Sequence, residues 1–479
     1  MQSDSPQLAK DIDLAIVKIN ASISLFLDEV LHHPEFQKLE ALWNGVKLLT
    51  ECVPDERAFK REDQRSTRGS SDGILISLWN VKKEELSDDL YYSSFSSMDQ
   101  NALYRKVYRN GLNVFGAIPV SVVISDYEFD DRHSDIILLQ QIAKVMSVSF
   151  SVFCANASPT LFELDSYTQL PRRYNLLPNE RGETVAACFS KKTEWNQARS
   201  SSDFRFMALC APKMLMRRPY DFRRSMGTMY AYRHHRDLDD NLRFPYRETT
   251  RRDGSGFLWG AAAFGFAAVA ITCYSFTNWL ADIHGVPIGD NGGGRVPRLW
   301  EDLEIRDAEG GGTIFKPMTD CIVPDSLEKE LTELGIMALC HRPGSSEAAF
   351  CNTPSLYNSS ARTDVDRQLS SMLQYTLCVA RFAQIIKIMG HELVGSNQNA
   401  ESIVRRIRDF LGSHTQKSRN ADRSAKARQP LHNYDVKVKP TLGKDGFFDC
   451  DIMIQMHHDL DAVRLELQMQ LGMETNKVS

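Results

Sequence analysis

The feature that most constrains this chain is a long stretch, Gly254 to Ala281, that contains no charged side chain. A run of this length could cross a bilayer as a helix. However, small and polar residues dilute it, no second such run exists, and the flanking charges (Arg251, Asp253, Asp282) are mixed in sign and give no orientation signal. A helix that is apolar on all sides also suits the centre of a large globular protein. We therefore expect a buried helix, with a single-span membrane protein as the alternative.

The composition is that of an ordinary globular protein. The chain is 42% hydrophobic and 25% charged. Its length of 479 residues is enough for two to four domains or one elaborate domain. The net charge of -5 does not favour nucleic-acid binding. The amino end lacks the basic and apolar segments of a signal peptide, and none of the ten cysteines forms a Cys-x-x-Cys pair. These features favour a cytoplasmic protein whose cysteines are small buried hydrophobes.

The first 53 residues are predicted to be helical. Between Asp11 and Leu31, apolar side chains recur at three- and four-residue steps, which is typical of an amphipathic helix. Pro34 interrupts this pattern, and a second helix is predicted from Glu35 to Leu49. A free surface helix would not keep a continuous apolar stripe, so we expect the stripe to pack on a partner subunit or on a neighbouring protomer. The alternative is that it serves the chain's own core. The residues of the stripe that we assign to the interface are Ile12, Ile16, Ile19 and Ile23.

The middle of the chain alternates strand-like and helix-like segments, which favours an α/β fold with a mixed or parallel sheet. The predicted strands are Ile74–Val81, Ile118–Ile124 and Ser149–Cys154. The predicted helices include Lys82–Leu90, Asp135–Met146, Thr376–Leu393 and Glu401–Leu411.

The carboxy-terminal segment has a different period. Apolar and polar residues alternate strictly from Phe448 to Met456 and again from Val463 to Leu471, which predicts strands with one buried face. Because a one-residue shift would turn the whole apolar face outward, the register of such a strand is tightly specified. The apolar face of the last strand comprises Val463, Leu465, Leu467, Met469 and Leu471.

The sequence contains none of the common catalytic or metal-binding motifs. The sequence has no P-loop, no G-x-S-x-G elbow and no H-E-x-x-H, and its histidine pairs are adjacent, so their side chains point apart. The acidic loop from Asp126 to Asp131 is a weak calcium-like pattern, and we expect a solvated loop that caps the next helix. The arginine-rich tract 217–252 is expected to be a solvated loop or to pair with a protein partner. No catalytic, cofactor or metal residue is assigned.

A series of motifs follows along the chain in an order and spacing that are hard to obtain by chance. They include Phe36-Gln37 with Trp43 and Gly45, Asp126 to Asp130, Phe162 to Tyr167 with Leu170-Pro171, Arg218 to Asp221, Phe257 to Gly260, Ala348 to Phe350, and Arg428 to Leu431. Together they resemble the large sheath subunit of type VI secretion systems, the TssC/VipB family, over roughly residues 20–471.

The resemblance implies a structural protein and not an enzyme. It implies a pair with the small sheath subunit (TssB/VipA), which assembles with further copies into a helical lattice around a tube of Hcp, above a baseplate. Contraction of the lattice then propels the tube by a cooperative change of packing, without a cofactor. In the family, a segment before the shared part carries a helix that the unfoldase ClpV recognises. This chain starts almost at the shared part, so ClpV stays an open partner.

The resemblance also implies a domain order within a mixed-sheet contractile-sheath fold. Residues 1–53 would be a helical partner-binding segment, 74–312 an outer and middle α/β domain, and 313–479 an inner domain. The carboxy-terminal strands of the inner domain would be shared between neighbouring protomers, as a strand added to a sheet edge. The alternative for the last strand is that it is an internal strand of the chain's own sheet. The alternative for the function of the whole chain is a cytosolic α/β enzyme of unknown reaction.

Overall fold

A computed structural model describes residues 5–54, 73–95, 98–114, 116–174, 184–221, 246–251, 253–286, 292–297, 304–306, 313–315, 317–341, 347–358, 371–393, 400–418, 420–440, 448–457 and 465–469. The longer helices are α1 (Ser5–Leu31), α2 (Pro34–Cys52), α3 (Lys83–Phe95), α4 (His133–Ser149), α5 (Val185–Ser190), α6 (Thr193–Ala198), α7 (Ala262–Thr277), α8 (Asp325–Glu333), α9 (Leu373–Leu393), α10 (Ala400–Ser413) and α11 (Arg423–Arg428). Short helical turns lie at Met98–Gln100, Ala102–Tyr104, Arg105–Arg109, Pro159–Phe162, Tyr167–Gln169, Leu170–Arg173 and Ser202–Phe206.

Within the described residues, the strands form one large sheet and three smaller ones. They are β1 (Val122–Phe129), β2 (Val152–Ala157), β3 (Met207–Ala211), β4 (Met214–Leu215), β5 (Trp259–Gly260), β6 (Glu304–Arg306), β7 (Thr313–Phe315), β8 (Ile336–His341), β9 (Ala348–Phe350), β10 (Leu431–Pro440), β11 (Phe448–Met456) and β12 (Leu465–Met469). The large sheet has the order β1-β2-β3-β8-β9, parallel from β1 to β8 and antiparallel at β9. The fold is therefore a mixed α/β fold, as the alternating pattern predicted.

A hydrophobic core covers each face of the large sheet. Because successive side chains of a strand point to opposite faces, Phe153 and Ala155 of β2 belong to one core, and Val152 and Cys154 belong to the other. The first core contains α4, whereas the second contains α7. The inner strands are continuous apolar runs because they are buried on both sides, as parallel sheets require.

Helix α7 is the charge-free stretch that the sequence singled out. It begins at Ala262 and ends at Thr277, so it is shorter than the run from Gly254 to Ala281. Its side chains are buried on every side over most of its length, in contact with the sheet and with α2. The prediction of a buried helix is confirmed. Among the residues that the structure describes, no helix is long and apolar enough to span a membrane.

Helix α2 lies close against α7. It begins at Pro34, which occupies the first turn, where the missing N–H costs no hydrogen bond. Its buried side carries small residues, and a Cβ atom at Gly45 would lie 2.7 Å from the ring of Phe264. Only glycine therefore allows this approach of α2 to α7.

The buried side chain of Asn156 joins the large sheet to α7. The β1–β2 register shifts between Ile124 and Glu128. Across this irregularity, Asn156 Nδ2 donates to the carbonyl oxygens of Ser125 and Tyr127, both at 3.3 Å. Its Oδ1 accepts a hydrogen bond from Ala263 N at the start of α7. One amide thus satisfies backbone groups that the shifted ladder and the helix terminus leave unpaired.

A third core forms between α9, α10 and the strands β10 and β11 of the sheet β10-β11-β12. The ring of Trp279, just after α7, stacks on Phe382 of α9 with 4.1 Å between centroids. Gln384 of α9 donates to the carbonyl oxygens of Val120 and Phe150, each at 2.8 Å. These contacts fix the carboxy-terminal part of the chain to the large sheet.

The predicted strand Ile74–Val81 is wrong. The segment forms no strand: Ile76 packs against the second core, and Trp79 and Val81 pack against the first. The segment runs beside the edge strand β1, where Tyr127 Oη donates to Val81 O at 2.7 Å. Because the segment packs against both cores, its sequence is an apolar run even though it does not pair as a strand of the sheet. Two other predicted strands begin too early, since β1 starts at Val122 and β2 at Val152.

Candidate partner-binding surfaces

The apolar stripe of α1 is exposed along the helix. Ile12, Ile16, Ile19 and Ile23 are 52%, 49%, 58% and 42% exposed, so the chain's own core does not cover them. Leu8 and Phe26 lie on the same stripe by helical spacing and are exposed as well. Leu14 and Leu25 are also exposed, but helical spacing places them on the opposite side of the helix. The structure thus brings the four predicted isoleucines together on one uncovered face.

The carboxy-terminal end of α1 is fastened to the chain's own residues 246–249. Asp28 accepts hydrogen bonds from Tyr246 Oη at 2.7 Å and from Thr249 Oγ1 at 2.6 Å. Thr249 N also donates to Asp28 at 3.2 Å. The end of α1 is therefore held in a fixed place while its stripe remains exposed.

A buried ion cluster fastens α2 beside this point. Arg217 donates to Glu40 (Nε–Oε1, 2.6 Å) and to Glu248 (Nη1–Oε2, 2.6 Å), and the side chain of Glu248 is fully buried. The guanidinium also lies 4.2 Å from the ring centroid of Tyr220. Burial alone would lower the pKa of Arg217, but the hydrogen bonds that Arg217 donates to Glu248 and Glu40, together with their negative charges, outweigh burial and raise that pKa. At this position the arginine-rich tract is thus a buried structural element and not a solvated loop.

We expect Arg217→Ala to lower the free energy of unfolding by about 3–5 kcal/mol, because it leaves two carboxylates buried without their cation. Lys47→Ala is the control at a surface pair: Lys47 lies 3.9 Å from the carboxylate of Glu51, and the two side chains are 69% and 46% exposed. That change should cost no more than about 1 kcal/mol. Chemical denaturation of both variants measures the difference. Equal losses would show that the Arg217 cluster contributes no more than a surface pair.

A second apolar patch lies on α2, and the sequence reasoning did not assign it to an interface. Phe36, Leu39 and Trp43 are 38%, 53% and 58% exposed, while the opposite side of α2 packs on α7. Their three- and four-residue spacing was visible in the sequence, but it equally fits a helix that buries this side. Burial of the other side became evident only from Gly45 and α7.

The predicted carboxy-terminal interface residues lie partly in β12. Leu465, Leu467 and Met469 are in register with Ile454, Ile452 and Cys450 of β11, in an antiparallel ladder. Val463 and Leu471 lie outside the described residues. Strand β12 is at the edge of the three-stranded sheet, because β11 lies between it and β10. The two predicted surfaces, on α1 and β12, belong to different parts of the fold.

The acidic loop is not a solvated loop throughout. Asp126 and Glu128 belong to β1, and Asp130 is buried, where it accepts hydrogen bonds from the backbone and side chain of Arg132 at the start of α4. Across the described part of the chain, no group of three or more His, Cys, Asp or Glu side chains is arranged to hold a metal ion.

Comparison with known proteins identifies the family. The family model VipB, described as EvpB/VC_A0108, tail sheath N-terminal domain, matches residues 13–357, and VipB_2, described as EvpB/VC_A0108, tail sheath gpW/gp25-like domain, matches residues 362–473. The chain is 24% identical over 465 residues to the type VI secretion system sheath protein TssC1 of Pseudomonas aeruginosa, covering 96% of this chain and 85% of that protein. The chain therefore belongs to the VipB tail sheath family, as a large subunit of the type VI secretion contractile sheath, and is a structural protein and not an enzyme.

Proposed function

We propose that this chain pairs with a small sheath subunit through α1. The observation that carries the proposal is the uncovered isoleucine stripe on a helix whose end is held by Asp28. Four such side chains on one helix face are a typical surface for a partner helix or groove. The exposed residues Phe36, Leu39 and Trp43 of α2 extend the apolar surface that is available to the same partner.

We further propose that β12 links neighbouring protomers. An edge strand has one unpaired row of backbone groups, and a strand from another protomer could add to it. Such head-to-tail contacts generate an open helix when the rotation does not close into a ring. In this proposal the pairs assemble in the cytoplasm around an Hcp tube, above a baseplate. Residues 313–479 form the inner part, 74–312 form the outer and middle part, and 1–53 form the partner-binding segment.

Co-expression with the gene of a small sheath subunit tests the proposal. We expect the two chains to purify together without detergent and to form long tubes that electron microscopy detects. The chain expressed alone is the control, and it should give no ordered tubes because its α1 stripe has no partner. A chain that stays monomeric beside the small subunit, or that remains in carbonate-washed membranes, would overturn the proposed pairing.

A further inference from the structure

Helix α1 is exposed over most of its length and becomes half-buried toward its carboxy-terminal end. Every residue from Lys10 to Ile19 is exposed, and half-buried positions between Lys10 and Leu31 occur only from Asn20 onward. A helix is a stiff rod on this length scale. The way in which its carboxy-terminal end is held therefore decides where the exposed part of α1 lies.

Helical hydrogen bonding is interrupted between α1 and α2. His33 has an extended backbone (φ -64°, ψ 127°), and Pro34, the first residue of α2, has no N–H to donate back into α1. This break leaves the angle between the two helices to be fixed by other contacts. Ile12 lies 16 residues before Asp28, which is roughly 24 Å along the helix axis. A pivot of about 10° at Asp28 would thus displace Ile12 by about 4 Å.

Asp28 makes the contacts that fix this angle. Its Oδ1 accepts hydrogen bonds from Tyr246 Oη at 2.7 Å and from Thr249 N at 3.2 Å, and its Oδ2 accepts one from Thr249 Oγ1 at 2.6 Å. Both carboxylate oxygens are thus engaged, which fixes the rotation of the carboxylate as well as its position. Hydrogen bonds to a carboxylate are also stronger than those between neutral groups.

The segment 246–249 is itself tied to the rest of the chain. Glu248 N donates to Tyr220 O at 2.9 Å, and Tyr220 N donates to the carboxylate of Glu248 at 2.8 Å. The same carboxylate is fully buried and pairs with Arg217, which also donates to Glu40 of α2. The hydrogen bonds of α1 therefore end on a segment that is fixed relative to α2.

We propose that Asp28, Tyr246 and Thr249 are positioning residues that hold α1 in the direction in which the small subunit binds it. This inference rests on the proposed pairing through the isoleucine stripe. A surface that already has its bound orientation loses less freedom on association. When the helix instead samples many directions, the measured Kd rises by the inverse of the fraction that is competent to bind. Asp28 thus acts on affinity through the direction of the helix.

The first measurement uses the full chain alone and reports the direction of α1. Spin-labelled amino acids replace Lys18 of α1 and Lys47 of α2, which are both exposed, and pulsed electron paramagnetic resonance gives the distribution of distances between them. We expect a narrow distribution in the otherwise wild-type chain and a broader one in Asp28→Ala. Tyr246→Phe combined with Thr249→Val should broaden it too, although the sequence of α1 is then unchanged.

The second measurement is titration with the purified small subunit. We expect Kd to rise at least about ten-fold in Asp28→Ala and in the Tyr246→Phe, Thr249→Val variant. Glu29→Ala, at the exposed neighbouring acid of α1, is the control and should change neither measurement. Asp28→Asn keeps an oxygen acceptor and gains an amide that can donate to Thr249 Oγ1, so its Kd should stay within about a few-fold of wild type. Thermal melting checks that every variant is folded.

Three outcomes count against these expectations in different ways. A distance distribution that stays narrow in both variants would overturn the inference, because Asp28 then does not fix α1. A broader distribution with an unchanged Kd would also overturn it, since binding then does not depend on the direction of the helix. If the wild-type chain does not bind the small subunit, it is the proposed pairing that fails, and the distances still decide whether Asp28 holds α1 in place.

Discussion

Replacing Ile16 and Ile23 together by aspartate is expected to abolish co-purification of the small sheath subunit. Both side chains are exposed in the chain alone, so the change should leave its own fold intact. In the proposed pair they are buried, and each unpaired carboxylate buried in an apolar contact costs several kcal/mol. Together they should weaken binding by at least about a thousand-fold, which corresponds to roughly 4 kcal/mol. Pull-down of the co-expressed subunit, followed by titration of the purified chains, measures the loss.

Leu14 and Leu25 provide the matched control on the same helix. Both are exposed, at 57% and 71%, and lie on the side of α1 opposite to the stripe. Leu14→Asp with Leu25→Asp introduces the same charge and should leave pairing within about a few-fold of wild type, since exposed changes of this kind are usually small. Loss of pairing in both double variants would show that added charge anywhere on α1 disrupts pairing, and that the effect is not specific to the stripe. Undiminished pairing of the isoleucine variant would rule out the stripe as the contact.

A chain that ends at His458 is expected to pair with the small subunit and yet form no tubes. It retains β10 and β11, whose ladder runs from Leu431–Met456 to Pro440–Phe448. It also retains the third core, in which Ile452 and Ile454 of β11 are buried with α9 and α10. The residues lost are 459–479, which include the edge strand β12. Electron microscopy counts tubes, while circular dichroism and gel filtration report whether the pair is folded.

The control for this truncation is a chain that ends at Gly472 and therefore keeps β12. It should form tubes as the full chain does, because the loss is confined to the terminal residues. If the chain ending at His458 is insoluble or unfolded, then β12 serves the chain's own core and not a link between protomers. If it forms normal tubes, β12 has neither role.

The strongly periodic segments were the most predictable from sequence. The alternation from Phe448 to Met456 defined β11 with its observed bounds, because a strand with one buried face leaves a clear two-residue period. The stripe of α1 likewise predicted a helix that ends at Leu31. In the chain alone the stripe is exposed. What covers that face in the assembly stays a prediction.

The errors arose where long-range contacts override local pattern. Ile74–Val81 has the composition of a buried strand, but Trp79 and Val81 fill the first core at the edge of the sheet without joining it. Arg217 belongs to a tract that reads as solvated, yet it pairs with Glu40, far away in the sequence. No local sequence pattern indicates a partner at such a distance along the chain. The whole-chain order of motifs carried the family assignment more reliably than any one segment did.

The contact between Gly45 and Phe264 has a consequence for how this sheath protein can diverge. Since a Cβ atom at position 45 would lie 2.7 Å from the Phe264 ring, position 45 cannot gain a side chain while the Phe264 ring keeps its place. A relative that carries alanine or serine at position 45 must have a smaller side chain at position 264, or a wider spacing between the two helices. A side chain at position 45 is thus expected only together with a change at position 264, and a change at position 45 alone should be rare among functional sheaths.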